Sequence, residues 1–100
     1  MKINWPYDKK FAFTIVDDTD GGTVSNLKPI YDLLYESGIK TTKTVWVYPS
    51  RDKFKGGSLL DNNYLEFIKQ LEQRGFEIAL HNVGSGSFTK KEIEKGLELF

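Results

Sequence analysis

The stretch Thr14-Ile15-Val16-Asp17-Asp18-Thr19-Asp20-Gly21-Gly22 decides the expected fold and places its chemistry. An apolar run breaks off into three acids and two glycines, which predicts a buried strand with negative charge at its carboxyl end. The carboxyl ends of parallel strands are where α/β proteins keep their functional groups. Adjacent carboxylates repel each other, and a metal, a shared proton or a cationic substrate normally offsets that repulsion. The alternative interpretation is an acidic turn with Asp20-Gly21 at its corner.

The composition indicates one small domain over residues 1–100. The chain is 39% hydrophobic, and its 14 Lys and Arg balance its 14 Asp and Glu, so no strong field attracts nucleic acid or an acidic membrane surface. The absence of Cys excludes disulfides, thiolate metal sites and cysteine nucleophiles. Residues 1–7 lack the apolar region of a signal peptide, and no apolar run approaches the roughly 20 residues of a membrane span. We therefore expect a soluble, cytoplasmic protein without a nucleic-acid or membrane partner.

Three strand-then-helix units follow one another along the chain. The hydrophobic spacing predicts strands near residues 11–16, 43–48 and 76–81 and helices near residues 25–37, 61–74 and 89–99. Ser25 or Asn26 is the expected cap of the first helix, Asp61 caps the second, and Thr89 with Glu92 forms a capping box for the third. This alternation predicts an α/β fold with a parallel sheet whose strands follow chain order.

Two chemically suggestive positions fall at one edge of this sheet. Asp17 and Asp18 end the first strand, and His81 ends the third. In a parallel sheet these ends project into the same crevice. Histidine is the side chain whose ordinary pKa lies nearest physiological pH, and its neutral imidazole is a common metal ligand. The sequence therefore predicts a functional site formed by these three residues.

Two motifs resemble the signatures of the polysaccharide deacetylases. Phe13-Thr14-Ile15-Val16-Asp17-Asp18 is similar to the Thr-Phe-Asp-Asp signature of that family. Gly75-Phe76-Glu77-Ile78-Ala79-Leu80-His81-Asn82 is similar to its second signature, Gly-x-Glu-Ile-(Gly/Ala)-x-His. Residues 11–100 resemble the first three βα units of the glycoside hydrolase and deacetylase β/α-barrel superfamily. The resemblance implies that the chain is the N-terminal portion of such a barrel.

This resemblance also implies an activity, the metal-assisted hydrolysis of acetyl groups on a carbohydrate substrate. Carried over by position, Asp17 would be the general base. Asp18 and His81 would hold a divalent metal, with zinc the expected ion. A water molecule would attack the acetyl carbonyl.

The chain departs from the deacetylase pattern in two ways. Ser85 stands where the second metal-binding histidine belongs, and a serine hydroxyl is a poor zinc ligand. We therefore expect weak or absent metal binding, unless Asp20 or a group outside this chain completes the ligand set. A complete barrel needs on the order of 200 residues, and His81 is the single histidine, so the family's leaving-group acid has no counterpart. The chain is therefore expected to be a partial member, incomplete or weakly active. Its open sheet edges predict a homo-oligomer.

Two other functions use the same residues. Asp18-Thr19-Asp20-Gly21-Gly22-Thr23 resembles the Asp-x-Asp-Gly-Thr motif of magnesium-dependent haloacid-dehalogenase phosphatases, with Ser50 as a phosphate-binding residue, although an extra glycine breaks the spacing. Alternatively, the crevice binds carbohydrate without catalysis and uses Trp46 or Tyr48 as a stacking surface. The alternative to this stacking role is that both aromatic side chains simply pack in the core. The solvent exposure of Trp46 distinguishes stacking on a sugar from packing in the core.

Overall fold

The protein folds as three βα units around one parallel sheet. The computed structural model describes residues 2–100. The sheet contains β1 (Val16–Asp17), β2 (Thr42–Val45) and β3 (Glu77–Leu80), in that order. The helices that follow them are α1 (Val24–Glu36), α2 (Asn62–Gln73) and α3 (Lys90–Leu99). The predicted α/β fold with parallel strands in chain order is confirmed.

Strand β1 contains two residues, whereas the sequence predicted a strand over residues 11–16. Its first residue, Val16, pairs with Thr42, the first residue of β2. Within residues 2–100 no strand pairs with the residues that precede Val16, because β2 does not extend further in that direction; the Thr42 amide still donates to the Ile15 carbonyl oxygen at 2.9 Å. Residues 11–15 therefore lie outside the sheet, and every one of them is exposed.

Strand β2 also ends earlier than the prediction of residues 43–48. Beyond Val45, Trp46 forms an isolated parallel bridge with Ser58. The amides of the next two residues donate to the carbonyl oxygen of Val83, at 3.1 and 2.8 Å. The chain after β2 is thus bound by the loop that follows β3 and not by a continuing ladder.

Helix α1 begins earlier than expected and has a different cap. The hydroxyl of Thr23 accepts a hydrogen bond from the Asn26 amide at 3.2 Å, and the Asn26 side chain accepts one from the Thr23 amide at 2.8 Å. The two predicted caps, Ser25 and Asn26, both lie inside the helix instead. Pro29 lies beyond the first turn, where it removes one helical hydrogen bond. Gly38, at φ 73°, ends the helix in the left-handed conformation that glycine adopts without strain.

Helices α2 and α3 begin as the sequence predicted. The Asp61 carboxylate accepts a hydrogen bond from the Tyr64 amide at 3.1 Å, and Thr89 and Glu92 form the expected capping box. Among residues 2–100, no helix has the length and hydropathy needed to cross a membrane.

The core lies between the sheet and helices α1 and α2. Its buried side chains are Leu27, Tyr31, Val45, Tyr64, Phe67, Ile68, Leu71 and Phe76. Tyr31 packs edge-to-face against both Phe67 and Phe76, with ring centroids 6.4 and 4.9 Å apart. This packing fixes the helices against one face of the sheet and leaves the carboxyl edge of the strands free to carry the candidate site.

Candidate functional site

Asp18 and His81 come together at the carboxyl edge of the sheet. Asp18 directly follows β1, and His81 directly follows β3, with β2 between the two strands. The His81 amide donates to the carbonyl oxygen of Val45 at 2.8 Å, which ties the histidine to the end of β2. His81 Nε2 then lies 3.8 Å from Asp18 Oδ1. Both side chains reach solvent, with 39% of His81 and 73% of Asp18 exposed.

Asp17 points away from this pair and toward the helices. Its Oδ2 accepts a hydrogen bond from the Tyr31 hydroxyl of α1 at 2.7 Å and lies 3.4 Å from Lys43 Nζ. Successive side chains of a strand alternate between its two faces, so Asp17 shares the helix-covered face while its neighbour Asp18 does not. The structure therefore joins Asp18 to His81 and places Asp17 in a separate cluster with Tyr31 and Lys43.

Lys43 is a buried charge that the sequence pattern did not predict. Its side chain is fully buried in β2, in register with Asp17, and its Nζ makes no hydrogen bond to any of residues 2–100. Burial lowers the pKa of Lys43, and the negative charge of Asp17 opposes part of that shift. Burial likewise raises the pKa of Tyr31 far above its ordinary range, so the tyrosine stays a hydrogen-bond donor. The signal in the sequence was a lysine between two threonines in an otherwise core-forming strand.

The Ser85 hydroxyl is hydrogen-bonded to a neighbouring carboxylate. Its hydroxyl lies 2.8 Å from both carboxylate oxygens of Asp52, in the loop after β2. This hydrogen bond is the main cause that lowers the pKa of Asp52, and further bonds from the Phe54 amide and the Ser50 hydroxyl add to it. Ser85 and Asp52 therefore join two loops at the carboxyl edge. Ser50, the phosphate-binding candidate of the phosphatase hypothesis, is drawn into the same cluster.

Neither aromatic candidate offers a free stacking surface. Trp46 is 1% exposed, and its indole packs edge-to-face against the His81 ring with centroids 6.4 Å apart. Tyr48 stacks on Phe88 at 5.4 Å, and its hydroxyl donates to the Glu92 carbonyl oxygen. Trp46 is thus a packing residue that supports His81, and the carbohydrate-stacking role expected for it has no exposed ring to use. Tyr48 anchors α3.

A cavity of about 570 Å³ opens between β1 and α1, and Asp17 and Asp18 both line it. The other lining residues are mainly apolar, namely Ile15, Val16, Leu27, Ile30, Tyr31, Leu34 and Thr41. A sugar site needs many hydrogen-bonding groups to meet the hydroxyls of its ligand. This cavity is therefore better suited to an apolar side chain than to a carbohydrate.

Asp18 and His81 fit a metal ion as two of its ligands. A zinc ion with metal–ligand bonds of about 2.1 Å joins donor atoms up to about 4.2 Å apart, and the 3.8 Å separation falls within that reach. Within residues 2–100, no group of three or more His, Cys, Asp and Glu side chains is arranged to hold a metal. The chain thus presents two donors where a catalytic zinc takes three protein ligands, in agreement with Ser85 being turned toward Asp52.

Comparison with known proteins identifies no relative of this chain. No protein-family model matches the chain, and neither a curated protein nor a solved structure matches it.

Proposed function

We propose that this chain is a polysaccharide deacetylase-like domain that uses a divalent metal to hydrolyse acetyl groups on carbohydrate. The observation that carries the proposal is the Asp18–His81 pair, 3.8 Å apart at the carboxyl edge of a parallel sheet. Both residues stand at the metal-binding positions of the deacetylase signatures that the sequence resembles. The three βα units would then form the first part of a β/α-barrel.

Asp18 and His81 would hold the metal. When bound, a divalent metal supplies a Lewis acid that polarises the acetyl carbonyl and lowers the pKa of water. Trp46 packs against the His81 ring, and the backbone bond of His81 to Val45 fixes where the ring begins. These contacts restrict the imidazole, which otherwise would lose conformational freedom on binding the ion.

Asp17 is the proposed proton acceptor. Tyr31 and Lys43 both engage Oδ2, whereas Oδ1 accepts no hydrogen bond from residues 2–100. The free oxygen can take a proton from water. His81 is the single histidine of these 100 residues, so protonation of the leaving group needs a donor other than a second imidazole of this chain.

The proposal predicts weak zinc binding that depends on Asp18 and His81. Calorimetric titration of Zn²⁺ into the protein and into Asp18→Asn and His81→Ala should show affinity in the first and its loss in both variants. Asp20→Asn is the matched control, because Asp20 belongs to the same acidic turn without contacting His81.

Ser85→His should tighten zinc binding at least tenfold. The new imidazole would replace a hydroxyl that already lies 2.8 Å from Asp52, and a carboxylate that accepts the second N–H of a metal-binding histidine orients the ring and raises its basicity. Unchanged affinity in Ser85→His would count against the deacetylase-type site. Magnesium-dependent binding of a phosphate mimic that requires Asp18 but not His81 would replace the proposal with the phosphatase hypothesis.

A further inference from the structure

The segment before β1 carries large apolar side chains that nothing in the described chain covers. Phe11, Phe13 and Val16 are 72%, 74% and 58% exposed. Residues 11–15 form neither helix nor strand, although their apolar run is typical of a buried strand. The outer edge of β1 likewise has no pairing strand within residues 2–100, because β1 is the first strand of the sheet. An unpaired edge of this kind is a template for another strand.

Charge is distributed along this segment in a self-complementary way. Lys9 precedes the apolar residues, and Asp17 follows them. When two such segments lie antiparallel, the basic end of each meets the acidic end of the other. Opposite charges that face each other across a strand pair stabilise it, and like charges destabilise it.

We propose that residues 9–17 pair antiparallel with the same residues of a second copy of this chain, about a two-fold axis at Phe13. A two-fold axis normal to the paired strands places residues of the same face opposite each other. In this register Phe13 meets Phe13, Phe11 meets Ile15, and Lys9 meets Asp17. All three pairs lie on one face, so the register gathers Phe11, Phe13 and Ile15 of both copies on that face and places each Lys9 opposite an Asp17.

The cavity between β1 and α1 is placed to receive the partner. It is lined by Ile15, Asp17 and the apolar α1 residues Ile30 and Leu34. The partner's Phe11 lies opposite Ile15 in the paired strands, beside the apolar part of the cavity. The partner's Lys9 lies opposite Asp17, which leaves its ammonium beside a carboxylate. The apolar part of the cavity thus lies next to the partner's Phe11, and the Asp17 carboxylate lies next to the partner's Lys9.

The area available is enough for a weak dimer. Each aromatic side chain buries on the order of 150–250 Å² when covered, so four phenylalanines and their aliphatic neighbours bury on the order of 1,000 Å² in total. A specific interface needs about that much, and small interfaces of this kind are usually transient. The inference does not depend on the proposed function, but association would occupy Asp17 and so compete with its role as a base.

Sedimentation over micromolar to millimolar protein concentrations tests the association. The protein is expected to move from monomer to dimer. Phe13→Lys places two ammonium groups at the two-fold axis and is expected to weaken association at least tenfold. Phe54→Lys is the matched control, because Phe54 is also an exposed phenylalanine, at 46%, but lies in the loop after β2. Since Phe13 is 74% exposed, the substitution should leave the far-ultraviolet circular dichroism unchanged.

Single cysteines test the register. The chain has no Cys, so Phe13→Cys introduces one thiol, and the two-fold axis brings it next to its copy. Oxidation should cross-link Phe13→Cys into a covalent dimer faster than Thr14→Cys or Phe54→Cys. A protein that stays monomeric throughout, a dimer that Phe13→Lys leaves intact, or preferential cross-linking of Thr14→Cys or Phe54→Cys would each overturn the proposal.

Discussion

At the scale of single residues, the buried charge of Lys43 is the feature with the clearest consequence for stability. Its ammonium is fully buried, 3.4 Å from one oxygen of Asp17, without a hydrogen bond to residues 2–100. The desolvation of a buried charge often exceeds the attraction to its partner, whereas removal of the partner alone leaves an uncompensated charge. Lys43 and Asp17 should therefore respond to substitution in opposite ways.

We expect Lys43→Met to stabilise the protein by about 1 kcal/mol, because methionine fills a similar volume without a charge to desolvate, and because Asp17, 29% exposed, keeps solvent and the Tyr31 hydrogen bond. Asp17→Asn should destabilise it by about 3 kcal/mol, because Lys43 then has no counter-charge. Urea denaturation at neutral pH measures both values. Lys28→Met is the control, since Lys28 forms an exposed ion pair with Asp32 at 3.2 Å and should change stability by no more than about 0.5 kcal/mol. Equal losses in Lys43→Met and Asp17→Asn would show that the buried pair is a net stabilising interaction.

At the scale of elements, the loop after β2 fastens the start of α3. The Arg51 guanidinium pairs with the Glu92 carboxylate, stacks over the Phe88 ring at 4.1 Å and donates to the Ser87 carbonyl oxygen at 2.9 Å. The pair with Arg51 is the largest cause that lowers the pKa of Glu92, to about 2, and capping bonds at Thr89 add to the shift. The carboxylate of Glu92 thus serves both the helix cap and the loop.

This geometry predicts an acid-dependent contribution from Glu92. Its pKa in the folded protein lies below the ordinary value of 4.5, so its contribution is fully present above about pH 4.5 and is lost as the pH falls toward about 2. Glu92→Gln keeps a capping side chain but loses the charge. We expect this variant to be less stable than the parent protein at neutral pH, by a difference that shrinks across that acidic window. Urea denaturation at several pH values measures it.

The control for the acid experiment is Glu94→Gln on the same helix, where Glu94 lies 3.9 Å from the exposed Lys90. That variant should follow the parent protein at every pH. A constant difference between Glu92→Gln and the parent protein from neutral pH to pH 2 would indicate that the pair with Arg51 contributes nothing to stability.

At the scale of the whole molecule, we expect the backbone to be most stable against local opening in β2 and less stable with distance from it. β2 is the central strand, paired on one side with β1 and on the other with β3, and α1 and α2 cover its buried residues. Residues 11–15 are exposed and belong to no strand. Amide exchange follows local opening, which is rarest in the core and most frequent where few contacts hold the backbone.

Hydrogen exchange on dilute protein should therefore show the slowest amides in β2 and α2, and near-unprotected rates for residues 11–15. Dilution is needed because association would pair that segment. Strong protection of residues 11–15 under conditions where sedimentation shows a monomer would mean that the segment is held by its own chain, contrary to its exposure in the structure.

The sequence by itself determined the secondary structure of this protein and the order of its strands. The helical spacing and the caps at Asp61 and Thr89 depend on neighbours a few residues away, so the pattern predicted them correctly. The order and direction of the strands followed from the alternation of strand and helix. Asp18 and His81 could be assigned to one edge for the same reason, because parallel strands bring their carboxyl ends together.

Only the tertiary structure decided what depends on residues distant in sequence. The length of β1 was set by where β2 begins, and the local apolar pattern of residues 11–16 contains no information about that. The direction of Asp17 and the burial of Lys43 arose from the packing of α1 against the sheet, which brings Tyr31 to the same carboxylate. Charge burial and strand pairing are energies of contact between remote segments, and such contacts exist only once the chain has folded.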